Sequence, residues 1–214
     1  HAGLAHLTCG SAGMANALAE VMRAEQAKVA ALATPEPILL AAEDAPVLVV
    51  AGSRNPLTLL QLSRAAHEMG LAVLGVDTEG LAADVSLEIR RLVAQAGVQL
   101  SAGHSVALSA VDSLYVEGLS HTLAQALGEM TARLVSRHMV AGLVLTGGDV
   151  ALAVCRALGA MALSLIGEIS PGIPVGRLRG GAQDGLPVVT KAGGFGHEEA
   201  IVSAMRHLRG TIAR

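Results

Sequence analysis

Val47-Leu48-Val49-Val50-Ala51-Gly52-Ser53-Arg54-Asn55-Pro56-Leu57-Thr58 reads as a strand, a turn and the start of a helix. Residues 47–50 are a short apolar run of β-branched type, and Gly52 ends it. Asn55 and Pro56 have the residue types of an N-cap and N1 pair: the amide oxygen can accept from a free helical N–H, and proline has no N–H to leave unpaired. The helix then runs through Leu60, Ser63 and Ala66 to Met69-Gly70. Gly52 and Ser53 are left free to approach a ligand, although an ordinary capped turn would carry the same residues.

Working outward, the pattern repeats. Residues 72–76 give a second strand signal, 84–95 a helix closed by Gly97, and 106–111 another strand. Residues 117–138 hold the longest helical pattern, which feeds a strand at 142–145 that stops at Gly147-Gly148. A helix over 150–158 follows, with Gly159 as its C′ residue. Short strands at 162–166, 175–178 and 186–189 are separated by Pro171-Gly172, Gly180-Gly181 and Asp184-Gly185, and a helix over 197–208 comes last. Upstream, residues 4–9 read as a strand leading into Gly10-Ser11-Ala12-Gly13, and 14–32 as a helix. Pro35 and Pro37 then interrupt before Glu43-Asp44, which puts a boundary near residue 45. The predicted class is α/β: a mostly parallel sheet flanked by helices, with a short-strand, turn-rich region near the C-terminus.

Composition agrees. Of 214 residues, 52% are hydrophobic, enough for a sizeable core. That content is Ala, Leu and Val, with Tyr115 and Phe195 the only aromatics, which suits small-residue packing of helices on a parallel sheet. Mean hydropathy is +0.54, but the longest stretch free of Asp, Glu, Lys and Arg, residues 92–111, carries Gln95, Gln99, Ser101, His104 and Ser105, so no transmembrane helix is expected. A net charge of −3, with 15 scattered basic residues and no aromatic platform, argues against nucleic acid and for small-molecule partners. Cys9 and Cys155 stand singly and the histidines have no HExxH or HxxxH spacing, so the cysteines read as reduced thiols rather than metal ligands. No signal peptide is visible, and a cytoplasmic location is the default expectation. The start at His1, directly before a strand, reads as part of a longer protein.

In a parallel α/β sheet the loops at the carboxyl ends of the strands gather on one edge, where helix N-termini offer free N–H groups to phosphates. Three turns qualify. The first is Gly52-Ser53-Arg54-Asn55-Pro56-Leu57-Thr58. In the second, Thr146-Gly147-Gly148-Asp149, one glycine would suffice for the turn, so the pair points to close approach by a phosphate or nucleoside, while Asp149 can cap the helix with its side chain. The third, Thr190-Lys191-Ala192-Gly193-Gly194-Phe195-Gly196, sets Lys191, one of two lysines beside Lys28, among glycines that expose backbone donors around a compact positive charge; a mobile glycine-rich connection is the plain alternative. Glu168, after the strand at 162–166, reads as a solvated strand-end carboxylate or a Mg²⁺-side group. Neither GxxxxGK[ST] nor GxGxxG with its acidic partner occurs, which disfavours P-loop and dinucleotide-binding folds, and with them an NAD-dependent oxidoreductase.

Taken in order, Gly52-Ser53-Arg54-Asn55-Pro56-Leu57-Thr58 with Gln61, Leu145-Thr146-Gly147-Gly148-Asp149, Gly167-Glu168-Ile169 with Pro171-Gly172-Ile173-Pro174, and Thr190-Lys191-Ala192-Gly193-Gly194-Phe195-Gly196 resemble the four-carbon acid sugar kinase family. The resemblance assigns 46–214 to the family's C-terminal nucleotide-binding domain, and 1–45 to the tail of its N-terminal sugar-acid-binding domain plus a linker. It implies ATP-dependent phosphorylation of acid sugars such as threonate or erythronate, with Mg²⁺. It places Ser53, Gly147, Gly148, Asp149, Val150 and Gly193 or Gly194 at the ATP site, to which the lysine argument adds Lys191. The catalytic acidic residues are expected in the N-terminal domain, so this chain should bind nucleotide without turning over. Two departures stand out: Arg54-Asn55 where many relatives have Cys or Ser, and Val150 where they often have Thr or Ser. A non-catalytic nucleotide-binding or effector module is the alternative reading, and a homodimer is left open.

Overall fold

Val47–Ala51 (β1) is apolar at every position and buried on both faces, the condition of a central parallel strand. It lies in a computed structural model that describes residues 12–26 and 45–210. The chain divides into two compact units, His1–Ile38 and Leu39–Arg214. In the first, the helix α1 (Ala12–Gln26) is described. The expected strand at 4–9, Cys9, Lys28, Pro35, Pro37 and Glu43-Asp44 lie outside the described residues.

The second unit holds one seven-stranded sheet in the order β2-β3-β1-β4-β7-β6-β5. β2 (Ala72–Gly75), β3 (Val106–Ser109), β1, β4 (Gly142–Thr146) and β7 (Pro187–Lys191) run parallel. β6 (Ile173–Arg179) and β5 (Ala162–Ser170) add an antiparallel hairpin at one edge. The helices are α2 (Pro56–Met69), α3 (Thr78–Ala83), α4 (Val85–Ser101), α5 (Ser120–Val135), α6 (Gly148–Ala157) and α7 (Ala200–Leu208).

Alternation along the strands builds two cores. Leu48, Val50, Leu143 and Leu145 face Leu92 of α4, Leu127 and Met130 of α5, and Val154 of α6. Val47, Val49, Ala51 and Val144 face Leu62 and Ala65 of α2, and Ile201 and Met205 of α7. The result is a three-layer α/β unit, with a mostly parallel sheet between two helical layers.

Some boundaries differ from expectation. α4 does not close at Gly97 but runs through it to Ser101, and Gly103, at φ +80°, makes the turn. Gly97 is small for another reason: a Cβ there would stand 3.2 Å from His138 Nε2. α3 had no helical pattern to announce it, being six residues capped by Asp77, whose carboxylate accepts from Gly80 N at 3.0 Å. β5 continues to Ser170, so Glu168 lies inside a strand opposite Pro174, between two register shifts. α7 begins at Ala200, after a turn closed by Ala200 N to His197 O. No helix among the described residues is long and apolar enough to cross a membrane.

Candidate functional site

Register brings the turns together. Ser109, Ala51, Thr146 and Lys191 are paired across the sheet, so β3, β1, β4 and β7 end on one line. Past that line the chain leaves β1 for α2 on one face and β4 for α6 on the other. Loops that part to opposite faces leave a crevice between them, the place where open α/β sheets take ligands.

The β1 turn is locally built as its residues dictate. Asn55 Oδ1 accepts from Leu57 N at 2.9 Å, capping α2 ahead of Pro56, and Ser53 Oγ accepts from Asn55 N at 3.2 Å. Beside it, Gly147 has φ +103°, which an L side chain rarely adopts, and a Cβ there would lie 3.5 Å from Ser53 N. Gly148 has an ordinary φ and nothing within 4 Å of its Cβ position, so the fold does not require it. Asp149 does not cap α6. The N-cap is Gly147, no side chain closes it, and Asp149 is an exposed carboxylate in the first turn, where the helix dipole favours it.

The β7 turn folds onto the β1 turn. A Cβ on Gly193 would overlap Ser53 Oγ and crowd Asn55 Cβ at 3.3 Å, so only glycine admits this contact. Thr58 Oγ1 donates to Gly193 O at 3.0 Å, and Gln61 Nε2 to Phe195 O at 3.2 Å and His197 O at 2.8 Å. Lys191 is 4% exposed. Its ammonium donates to Thr146 Oγ1 at 3.4 Å and Gly193 O at 3.1 Å, and burial pushes its pKa down to about 8.

On the other side of β1 a pocket opens between Gly52, Arg54, Tyr115, Leu119, Asp149 and Val150. The Arg54 guanidinium sits 5.4 Å from the centre of the Tyr115 ring, a cation–π distance. Val150 is buried beneath Gly52, where a Cβ on the glycine would overlap its Cγ2. The structure thus brings Ser53, Gly147, Gly148, Asp149, Val150, Lys191, Gly193 and Gly194 to the ends of three neighbouring strands. Sequence reasoning gave no role to Thr58 or to the segment after β3. The available signal for that segment was its single tyrosine, which is 68% exposed.

Residues 48–201 match the family model described as "Nucleotide-binding C-terminal domain". The chain is 33% identical over 221 aligned positions to a D-threonate kinase of Salmonella typhimurium, covering 94% of this chain and 48% of that protein. Over 88 residues it is 50% identical to a D-threonate kinase of Bordetella bronchiseptica, covering 41% of this chain and 22% of the relative. It therefore spans less than half the length of either. A solved structure from Bordetella bronchiseptica, described as a domain-swapped dimer with bound citrate and as a domain of unknown function, superposes with a TM-score of 0.67 at 35% identity, over 77% of this chain and 41% of that one.

Proposed function

The chain belongs to the four-carbon acid sugar kinase family as its nucleotide-binding C-terminal domain, and on that premise we propose that it is the ATP-binding part of a kinase for acid sugars of the threonate or erythronate type. The observation that carries the reading is the meeting of three glycine turns at one crevice, with Gly193 against Ser53 and Ser53 against Gly147. Backbone N–H groups of these turns and of the uncapped α6 N-terminus would hold the phosphates. The pocket walled by Tyr115, Leu119 and Val150 would take the base, whose flat apolar faces suit it.

Mg²⁺ fits this site in one way. Among the described residues no cluster of three His, Cys, Asp or Glu could hold a metal, but Mg²⁺ commonly keeps its waters and binds through substrate phosphates plus one or two carboxylates. Asp149 is the carboxylate on the pocket wall shared with Gly52 and Arg54. When bound with the nucleotide, the ion would neutralise charge on the transferred phosphoryl group; the chain's own part is to place the nucleotide. We propose that the groups that choose the acid sugar and take its hydroxyl proton come from the family's N-terminal domain, with 1–45 as the tail of that domain plus a linker and 46–214 as the nucleotide-binding domain. A cytoplasmic homodimer is proposed with it, the dimer by likeness to the Bordetella bronchiseptica structure.

Calorimetry with ATP and Mg²⁺, against NAD as control, tests the reading on the wild type and Gly148→Ala. The alanine meets open space and favours the helix, so the melting temperature should hold while ATP affinity falls about tenfold through lost close approach. Equal affinity for ATP and NAD, or no effect of the alanine on ATP, would count against it. The isolated chain should not phosphorylate threonate, and rapid turnover would overturn that part.

A further inference from the structure

Gly193 carries a carbonyl that receives two buried donors. Thr58 Oγ1 reaches it from α2 at 3.0 Å, and Lys191 Nζ from the end of β7 at 3.1 Å. Thr58 is fully buried and Lys191 nearly so. A threonine inside a helix can satisfy its hydroxyl on a carbonyl of its own preceding turn, as Thr131 does on Leu127 O at 2.7 Å. Thr58 instead spends its donor on a turn 135 residues away.

Two donors from the interior fix which way this peptide faces. No peptide bond among the described residues is cis, and in a trans peptide the C=O and the following N–H point in opposite directions. With the Gly193 oxygen held inward, the N–H of Gly194 points outward. Gly194 is exposed, and its N–H donates no backbone hydrogen bond to the described residues. It also stands at the β1 turn, since a Cβ on it would lie 3.1 Å from Asn55 Nδ2. One turn further along α2, Gln61 holds the Phe195 carbonyl in the same manner.

We infer that Thr58 and Lys191 are positioning residues, which hold the Gly193 carbonyl inward and so aim the Gly194 N–H into the crevice as a donor to a phosphate oxygen of the nucleotide. The inference rests on the nucleotide reading above and changes the part of Lys191 within it: the side chain acts through the turn rather than by direct contact with phosphate. Thr58, which touches no ligand in this arrangement, becomes a determinant of nucleotide affinity.

The test uses ADP as probe, with calorimetry for affinity and the ¹H–¹⁵N signal of Gly194 as the readout of where the N–H points. In the wild type, ADP should move the Gly194 amide signal. Thr58→Val keeps the side chain's shape and removes the donor; it should weaken ADP binding about tenfold and shrink that shift, and Thr58→Ser should restore both. Lys191→Gln, which still reaches with a donor but without charge, should lose less than Thr58→Val in the Gly194 shift. A folded amide spectrum is required of each variant, so that if Thr58→Val fails to fold, Thr58→Ala and Lys191→Met take its place as donor deletions. Wild-type affinity and an unchanged Gly194 shift in the folded donor deletions would overturn the positioning role while leaving the nucleotide reading intact. Absence of ADP binding in the wild type would instead overturn the nucleotide reading and this inference with it.

Discussion

Lys191 is the residue whose charge the fold perturbs most legibly. An ammonium taken out of water loses hydration, and here no carboxylate compensates: it faces the Thr146 hydroxyl and the Gly193 carbonyl, and burial lowers its pKa from 10.5 to about 8. In the unfolded chain the ordinary value returns, so between pH 8 and 10.5 the unfolded state binds the extra proton, and stability gains with rising pH across that window. Nucleotide affinity should move the other way. As the ammonium loses its proton above about 8 the crevice loses its buried positive charge, and attraction for phosphates weakens. Melting curves and ATP calorimetry from pH 7 to 10 on the wild type and Lys191→Gln check both slopes; identical pH profiles in the two proteins would show that another group titrates. The sequence marked Lys191 as unusual among glycines, but its burial and its partners depend on where Thr146 and Gly193 end up, which no local pattern states.

At the scale of elements, close approach of backbones decides what a residue must be. Gly128 lies in α5 with its Cβ position 2.7 Å from Ala153 O and 2.9 Å from Ala153 C of α6. Two helices meet there without a side chain between them. Gly128→Ala gains about 1 kcal/mol of helix propensity, while overpacking costs about 1–3 kcal/mol. Because the obstruction is backbone rather than a rotatable side chain, the cost should win, and urea denaturation should show a net loss of up to about 2 kcal/mol; a stabilised variant would mean that α5 can shift away freely. This contact was invisible in sequence, where Gly128 is one glycine inside a helical pattern. The same physics hid the end of α4: Gly97 reads as a stop, yet it is small because His138 packs on it. By contrast, Asn55-Pro56 and Gly159 were legible, because a cap and a left-handed C′ glycine are local requirements of the chain. α3 was missed since six residues hold too little periodicity to read.

Residues 45–210 form one sheet with a core on each face, and the crevice lies where both layers end. Strand patterns made the sheet legible, because apolar runs separated by helical spacing leave few α/β alternatives, whereas the order of seven strands and the edge hairpin are set by long-range pairing. This architecture makes a specific prediction about how a nucleotide would be felt. A ligand seated between the β1, β4 and β7 turns touches segments that pack on opposite faces, so it links α2 and α7 on one side to α6 on the other. At a hundred times its dissociation constant it would stabilise the folded state by about 2.7 kcal/mol. Amides that exchange through openings of the site should slow by up to about a hundredfold, and those that open independently should not change. In the β5–β6 hairpin β6 lies beside β7 and only its tip, at Gly172, meets Phe195, while β5 is the outermost strand of the sheet with no buried residue. Hydrogen exchange with and without ATP should therefore protect Ser53, Arg54, Gly194 and Phe195 while leaving Leu165 and Glu168 at their free rates. Protection confined to Gln125, Glu129 and Arg156, at the far end of the adjoining groove between α5 and α6, would place the nucleotide away from the three turns and refute the crevice as its site.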